Sequence, residues 1–265
     1  MPFVRAGELA VHYAFDGPPG APVLLLGNSL GTNFHLWDDV VAPLARTWRI
    51  LRYDTRGHGL TDAGTGDAFS MEQLAGDAVQ LLDALGIERA AYMGLSIGGL
   101  IGQALAAHYP ARVEALVLCA TANVIGPPST WDDRIAAIEA GGLSAIADAV
   151  MQRWFTPKTH AERPELVRGF TNMLERTTVR GYVGCARAIR EADLRDADGR
   201  IDCPTLVVSA SEDASTPPSA GEALRDAIRG ARYVLIDGSA HIIAAEQPQA
   251  LARAAFEFLS ETVRG

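Results

Sequence analysis

Apolar runs alternate along the chain with stretches of helical spacing, and this alternation predicts the fold. The segment "LAVHYAFDG" alternates apolar and polar residues, which is typical of a strand that leads into a turn. "PVLLLG" (22–27) is a continuous apolar run, which predicts a strand covered on both faces. Five more strands are predicted in "WRILRYD", "RAAYMGL", "VEALVLCA", "PTLVVSA" and "ARYVLID".

Helical segments lie between these strands. "MEQLAGDAVQLLDALG" is amphipathic, with Ser70 as its predicted N-cap and Gly86 near its end. "GGLIGQALAAHYP" predicts a helix that stops at Pro110, and the last helix is predicted from about Pro248 to Arg264. Two further helices are predicted in "FHLWDDVVAPLAR" and "SAGEALRDAIRG". Because strands and helices alternate, we expect a mostly parallel sheet with helices on both faces.

One long segment breaks this alternation. Residues 122–198 contain several helical patterns and no convincing strand. A helical insertion between strands of an α/β sheet predicts a cap. We therefore predict an α/β fold in which residues 1–121 and 199–265 form the core and residues 122–198 form a helical cap.

Composition limits the possible classes of function. The 265 residues are 48% hydrophobic and 21% charged, as in a folded protein with one large core. No apolar run approaches the roughly 18 residues that cross a bilayer, and no secretory signal is present, so we expect a cytoplasmic protein without a membrane partner. The net charge of −9, the pI of about 5.1 and the lack of a basic patch predict no nucleic-acid partner. Three widely spaced cysteines without a CxxC pair argue against disulfides and a zinc site, and the oligomeric state stays open.

The segment "YMGLSIGGL" places Ser96 between Gly94 and Gly98, after an apolar run and before a helical one. A nucleophilic serine needs an exposed oxygen, a base and donors for the developing oxyanion. In the pattern G-x-S-x-G, the serine occupies a strained turn from strand to helix, and small flanking residues let the two elements pack closely. We therefore predict that Ser96 is a nucleophile, the alternative being a glycine-rich turn without chemistry.

A base and an acid for this nucleophile are predicted near the C-terminus. His241 lies in "DGSAHIIAAEQP", between the last predicted strand and the last helix. Asp213 follows the strand "PTLVVSA", and the order Ser96, Asp213, His241 is that of an α/β-hydrolase triad. Glu212 and Asp237 are the rival acids. The other histidines fit the role of base less well: His12, His35, His58, His108 and His160.

Backbone N–H groups are the predicted oxyanion donors. One belongs to Ile97, directly after the nucleophile, and the other to Leu30, in the loop "NSLGT" after the strand "PVLLLG". The motif "YDTRGHG", with Asp54 and Arg56, is interpreted as a structural loop.

The chain resembles the α/β-hydrolase superfamily through "GLSIGG", "YDTRGHG", "SEDASTPP" and "SAHIIAAEQP". Within that superfamily it resembles the bacterial 3-oxoadipate enol-lactonases, through "GNSLGT" with Trp37 downstream, "LRYDTRGHG", "QRWFT" and "EADLR". Together these motifs span nearly the whole chain. One departure is that Ile242 and Ile243 follow His241, where the lactonases have small polar residues. This departure predicts a more apolar pocket near the base.

The resemblance implies hydrolysis of an enol-lactone with a free carboxylate to 3-oxoadipate, a reaction of the β-ketoadipate pathway. The substrate partner would be a small lactone or ester, and the mechanism needs neither a metal nor a cofactor. The alternatives are a carboxylesterase or perhydrolase with the same triad, and, in another class, a lactone-binding receptor. An aspartate nucleophile, as in haloalkane dehalogenases and epoxide hydrolases, does not fit Ser96.

A substrate carboxylate needs a cationic partner in this acidic protein, because an unpaired buried charge is costly. Arg134, in the cap segment "TWDDRIAAIEA", is the first candidate, with Trp131 and Trp154 as apolar walls. The alternative is that Arg134 pairs with a nearby carboxylate on a solvated helix face. The carboxylates concerned are Asp132, Asp133 and Glu139, and the fallback arginines are Arg187 and Arg190.

Overall fold

An eight-stranded sheet forms the centre of the protein. The structure, a computed structural model, describes residues 1–263 of the 265. The strands follow the order β1-β2-β4-β3-β5-β6-β7-β8. The first two strands run antiparallel to their neighbours, and all other pairs are parallel. The strands are β1 (Phe3–Ala6), β2 (Leu9–Asp16), β3 (Val23–Gly27), β4 (Arg49–Tyr53), β5 (Ala90–Leu95), β6 (Val113–Cys119), β7 (Thr205–Ala210) and β8 (Arg232–Ile236).

The central strands are the longest apolar runs of the sequence. Every residue of β5 and β7 is buried, as expected for parallel strands with helices on both faces. The seven predicted strands and the mostly parallel sheet are confirmed. Strand β1 was not predicted. It has four residues, of which only Ala6 is buried, so its sequence shows no alternation of apolar and polar residues that would indicate a strand.

Helices cover both faces of this sheet. Ser70 caps α2 as predicted, since its hydroxyl accepts a hydrogen bond of 3.1 Å from the Gln73 N–H. The last helix ends at Thr262, and its predicted end at Arg264 lies outside the described residues. Outside the cap, the helices are α1 (Asp38–Leu44), α2 (Met71–Ala84), α3 (Ile97–His108), α10 (Pro218–Ala227), α11 (Ile243–Glu246) and α12 (Pro248–Thr262), with short 3-10 helices at Phe34–Trp37 and Pro110–Arg112.

Only helices lie between β6 and β7, and residues 120–204 contain no strand. They are α4 (Pro128–Gly141), α5 (Ser144–Trp154), α6 (Pro157–Glu162), α7 (Pro164–Glu175), α8 (Val179–Glu191) and α9 (Arg195–Asp198). This segment contacts the loops after β3 and β4, for example through a hydrogen bond of 2.8 Å from Thr178 Oγ1 to the Gly57 carbonyl. The cap boundaries at 122 and 198 stay a prediction. In residues 1–263, no helix is both long and apolar enough to cross a membrane.

Candidate active site

Ser96 occupies a strained turn between β5 and α3. Its backbone has φ 60° and ψ −116°, a region that costs a residue with a side chain about 1–3 kcal/mol. The surrounding backbone holds this conformation. The Ser96 N–H donates to the Cys119 carbonyl at 2.9 Å, and the Ser96 carbonyl accepts from Thr121 Oγ1 at 2.9 Å. The strain therefore persists because the neighbouring strand β6 over-determines it.

The glycines beside Ser96 are required by close packing. A Cβ on Gly94 would lie 2.2 Å from the Gly98 carbonyl oxygen, and a Cβ on Gly98 would lie 2.4 Å from the Gly27 carbonyl oxygen. Both distances are far below van der Waals contact, and the obstacle is backbone that cannot move aside. Strand and helix thus approach as closely as the G-x-S-x-G pattern predicts.

Asp213 and His241 form a buried hydrogen-bonded pair. His241 Nδ1 lies 2.8 Å from Asp213 Oδ2, and each side chain is at most 5% exposed. Asp213 also accepts from the Ser215 N–H at 2.7 Å and from the Thr216 N–H and hydroxyl at 3.1 and 2.7 Å. Because the carboxylate only accepts hydrogen bonds, Nδ1 of a neutral His241 holds the proton and donates it to the bond, and Nε2 is unprotonated.

The electrostatics of this pair keep Asp213 ionised. Burial alone would raise its pKa, but the charge and hydrogen bond of His241 and the bonds from Thr216 outweigh burial, so the pKa lies below its usual value. Among residues 1–263, neither rival acid, Glu212 or Asp237, hydrogen-bonds to His241.

A second carboxylate holds the His241 loop against the cap. Glu246 Oε2 accepts from the Ala240 N–H at 2.6 Å, and Oε1 accepts from the Thr156 N–H and hydroxyl at 2.9 and 2.8 Å. The Ile242 N–H also donates to the carbonyl of Trp154, a cap residue, at 3.1 Å. The position of His241 is therefore tied to the end of α5.

A cavity joins the predicted residues of core and cap. It is lined by Ser29, Leu30, Ser96, Ile125, Gly126, Thr130, Trp131, Arg134, Val150, Arg153, Trp154, Tyr182, Ser215 and His241. Ser96 and His241 share this cavity, although the hydrogen bonds of residues 1–263 include none between their side chains. Such bonds are often long before substrate binds and tighten in the complex.

Two backbone donors near Ser96 are candidates for the oxyanion hole. Ile97 is the first residue of α3. The first N–H groups of a helix lack partners within the helix, and the positive end of the helix dipole lies there. The Leu30 N–H lies in the loop after β3, and Leu30 lines the cavity. In the described part of the chain, neither N–H donates to another backbone group. Both donors stay predictions, but neither is committed elsewhere in the backbone.

Arg134 faces the cavity rather than a carboxylate. Its guanidinium lies 4.7 Å from the centre of the Trp131 ring, and no ion pair of residues 1–263 includes it. Of the carboxylates considered as partners, Asp132 and Glu139 are bound by the fallback arginines, Arg190 and Arg187, at 2.6 and 2.9 Å. These two arginines do not line the cavity. The prediction for Arg134, Trp131 and Trp154 thus keeps its geometric basis.

The sequence analysis missed a second cationic residue in the cavity, Arg153. It lies on α5 beside Trp154, and within residues 1–263 it forms no ion pair. Val150, Arg153 and Trp154 are spaced i, i+3, i+4, which places them on one face of the helix. The spacing is visible in the sequence, but which way this face of the helix points depends on how α5 packs.

The predicted apolar contribution of Ile242 and Ile243 is wrong. Both side chains are fully buried in the hydrophobic core and neither lines the cavity. After His241 the chain turns at once into α11, which directs these side chains into the protein interior.

The motif "YDTRGHG" forms a network of buried polar contacts. Arg56 binds Asp77 at 2.6 and 2.8 Å and Glu8 at 2.5 Å, while Asp54 accepts from the Phe34 and Leu60 N–H groups at 2.9 Å each. These contacts support the interpretation of Asp54 and Arg56 as structural. Separately, residues 1–263 contain no cluster of three or more His, Cys, Asp or Glu that could hold a metal ion.

The chain is similar in sequence and in structure to known α/β hydrolases. Residues 22–248 match the α/β-hydrolase fold family. The chain is 36% identical to 3-oxoadipate enol-lactonase 2 of Acinetobacter baylyi, over 93% of this chain and 92% of that protein. The crystal structure of the enol-lactonase from Burkholderia xenovorans matches with a TM-score of 0.95 at 40% identity, over 98% of this chain and 100% of that one. A malate-bound thermophilic esterase from Thermogutta terrifontis matches with a TM-score of 0.91 at 26% identity, over 98% of each chain. These similarities confirm the predicted fold class and the resemblance drawn from the motifs.

Proposed function

The chain belongs to the α/β-hydrolase fold family, and we propose that it is a serine hydrolase that opens 3-oxoadipate enol-lactone to 3-oxoadipate. The proposal is supported most strongly by one observation. Two arginines without carboxylate partners, Arg134 and Arg153, line the cavity that also contains Ser96 and His241. The names of the enol-lactonases to which the chain is 36% and 40% identical supply the substrate.

In the first half of the reaction, Ser96 Oγ attacks the ring carbonyl carbon while His241 Nε2 takes the hydroxyl proton. The N–H groups of Leu30 and Ile97 would stabilise the oxyanion that develops. The ring C–O bond then breaks, its electron pair goes to the leaving oxygen, and His241 returns the proton to that oxygen. The leaving group is an enol that remains tethered within the acyl-enzyme and becomes a ketone, which favours ring opening.

In the second half, His241 takes a proton from water, and the resulting hydroxide attacks the acyl carbon. Ser96 Oγ leaves with the proton from His241, and the product gains its second carboxylate. Asp213 keeps the imidazole in the required tautomer and stabilises the imidazolium in both halves. The residues of the chain supply every proton transfer, so this route needs no metal or cofactor.

The arginines account for recognition of the free carboxylate. A guanidinium binds a carboxylate through two parallel N–H donors, and the partly buried cavity strengthens this interaction relative to water. The indole rings of Trp131 and Trp154 supply apolar walls for the ring and chain of the substrate. The cap therefore selects the substrate, while the core carries out the chemistry. Two predictions rest on the sequence alone. A role in the β-ketoadipate pathway follows from the resemblance, and a cytoplasmic location follows from the composition.

The test is a turnover screen of carboxylated enol-lactones beside neutral aryl esters of similar size, with Ser96→Ala as the control. We expect the lactone to be preferred by roughly 10- to 100-fold in kcat/KM, the scale of a charged hydrogen bond. Ser96→Ala should lower turnover by roughly 10⁴-fold or more, since only residual catalysis remains without the nucleophile.

Other results would assign another function. Preference for the neutral aryl esters would indicate a carboxylesterase, and peroxide-dependent acyl transfer a perhydrolase. Tight binding of lactone without multiple turnover would indicate a receptor. Full activity of Ser96→Ala would contradict the serine mechanism.

A further inference from the structure

The loop that carries Leu30 is a tight turn held by hydrogen bonds at Ser29, Gly31 and Thr32. The Thr32 N–H and hydroxyl donate to the Ser29 carbonyl at 3.1 and 2.8 Å, which closes a four-residue turn. Gly31, at the third position, has φ +79° and is the only turn residue with a positive φ, which matches a type II turn. The Gly31 N–H donates to His58 Nε2 at 3.0 Å. Among residues 1–263, the Leu30 N–H has no backbone acceptor.

His58, which contacts this turn, belongs to the motif "YDTRGHG". No residue of that motif takes part in the proposed mechanism. His58 is buried, and its Nδ1 lies 3.0 Å from the Arg56 carbonyl. A carbonyl only accepts, so Nδ1 carries the proton and Nε2 is the free lone pair that accepts from Gly31. Burial lowers the pKa of His58 and outweighs the opposing effects of the Arg56 carbonyl and the Asp54 charge, which favours the neutral ring that this geometry requires.

The bond from Gly31 to His58 selects between two forms of the turn. Type I and type II turns differ mainly in the orientation of their central peptide, here the Leu30 carbonyl and the Gly31 N–H. In the type I form, the Leu30 carbonyl would face the Nε2 lone pair, so two acceptors would oppose each other. A neutral histidine at this point therefore favours the type II form and anchors the turn through the Gly31 N–H, which fixes the position of Leu30 beside the cavity.

We propose that His58 is a positioning residue that, as a neutral acceptor for the Gly31 N–H, holds the turn presenting the Leu30 N–H to the oxyanion. The inference rests on the proposed function only in that Ser96 attacks an ester carbonyl. It assigns a role in transition-state stabilisation to a motif that otherwise looks purely structural. The amide oxygen of glutamine can replace Nε2 as an acceptor, whereas leucine cannot, and this difference makes the role testable.

The experiment compares His58→Leu and His58→Gln with the wild type on an aryl ester, so that the lactone preference does not enter. We expect His58→Leu to lower kcat by roughly 10- to 100-fold with KM changed less than about threefold, somewhat less than the loss of an oxyanion donor. Affinity for an arylboronic acid, which forms a tetrahedral adduct on Ser96, should fall by the same factor. His58→Gln should recover at least part of both losses.

Two measurements separate a loss of folded protein from a loss of kcat per active site. A serine-directed phosphonate titrates the active fraction of each variant, and His12→Leu removes another buried histidine, bound to Asp54 of the same motif at 2.8 Å, without touching Gly31. The control should lose stability but keep kcat per active site. In the wild type, ¹⁵N NMR should report His58 as the neutral Nδ1–H tautomer.

Three results would overturn the proposal: wild-type kcat and boronate affinity in His58→Leu, losses in His12→Leu equal to those in His58→Leu, or an Nε2–H tautomer in the wild type. If Ser96→Ala is inactive and any of these appears, only the positioning role fails. If Ser96→Ala keeps full activity, the proposed function itself fails.

Discussion

At the scale of single residues, the donors around Asp213 determine what this carboxylate can do. Its two oxygens accept from His241, from two backbone N–H groups and from the Thr216 hydroxyl. Because its folded-state pKa lies below the usual value, Asp213 contributes stability above its unfolded pKa, and this stability is lost as the pH falls through the folded-state pKa. At neutral pH it is therefore an ionised group that only accepts hydrogen bonds.

Replacing that acceptor by an amide should change the tautomer of His241. In Asp213→Asn, an amide N–H placed toward His241 would require an unprotonated Nδ1, so Nε2 would hold the proton and could not act as base. We expect kcat to fall by roughly 10³- to 10⁴-fold with a small change in KM. Steady-state kinetics on an aryl ester measures this. Glu212→Gln is the matched control, and an equal loss there would contradict the assignment of Asp213.

The arginines of the cavity give a second prediction. Arg134→Ala and Arg153→Ala should each lower kcat/KM for the carboxylated lactone by about 2 kcal/mol, roughly 30-fold, while a neutral ester of similar size is affected little. Arg190→Ala, which removes an arginine already paired with Asp132, is the control. Equal effects on both substrates would mean that the carboxylate is bound elsewhere.

At the scale of elements, the turn between β5 and α3 combines backbone strain with close packing. Gly94 and Gly98 allow the packing, and Ser96 bears the strain at φ 60°. The strain lowers the stability of the turn between β5 and α3. The same conformation places the Ser96 residue at the cavity, at the start of a helix.

This strain is measurable through two inactive variants. Glycine adopts the Ser96 backbone conformation without a Cβ penalty, whereas alanine keeps that penalty. Strain relief exceeds the extra chain entropy of glycine, so Ser96→Gly should be more stable than Ser96→Ala by about 1 kcal/mol. Chemical denaturation of the two proteins measures the difference. A more stable alanine variant would mean that the turn is relaxed.

The elements also explain how far the sequence could predict the structure. Strands such as β5 and β7 were predictable because their apolar runs are continuous, and the glycine spacing around Ser96 predicted the strained turn between β5 and α3. The triad candidates followed from their positions after β5, β7 and β8. Arg153 did not, because its exposure to the cavity depends on how α5 packs. The contact between His58 and Gly31 joins two loops that no local pattern relates.

At the scale of the whole molecule, an acidic protein contains a cavity lined by two arginines, in which we propose that an anion binds. The net charge of −9 acts through solvent and is screened within about 10 Å at ordinary ionic strength. A guanidinium acts at contact distance, and that of half-buried Arg134 acts where charge interactions are stronger than in water, whereas Arg153 is exposed. The local charges therefore outweigh the overall field.

The buried side chain of Asp198 makes the free energy of unfolding depend on pH. Asp198 at the end of α9 is fully buried. Burial raises its pKa to about 7, against a smaller opposing effect of Asn123. Between the unfolded pKa near 3.8 and the folded pKa near 7, the folded state holds the proton and the unfolded state releases it. Stability therefore falls as the pH rises through this window.

Asp198→Asn should remove this penalty. We expect it to raise the free energy of unfolding at pH 8 by up to about 4 kcal/mol, and by clearly less at pH 5, because each unit of pKa shift corresponds to about 1.4 kcal/mol. Denaturant unfolding of both proteins at the two pH values tests this. A gain that is equal at both values, or absent at pH 8, would contradict the prediction.

The distance along the chain between the proposed nucleophile and the proposed base has a consequence for synthesis of the protein. His241 follows Ser96 by 145 residues, and α12, which packs against α1, comes later still. At the translation rates of about 5–20 residues per second, the turn that carries Ser96 precedes its base by roughly 7 to 30 s. During that interval the nascent chain has a serine without a proton acceptor. On the proposed mechanism, we therefore expect it to leave cellular esters untouched until the loop that carries His241 emerges from the ribosome.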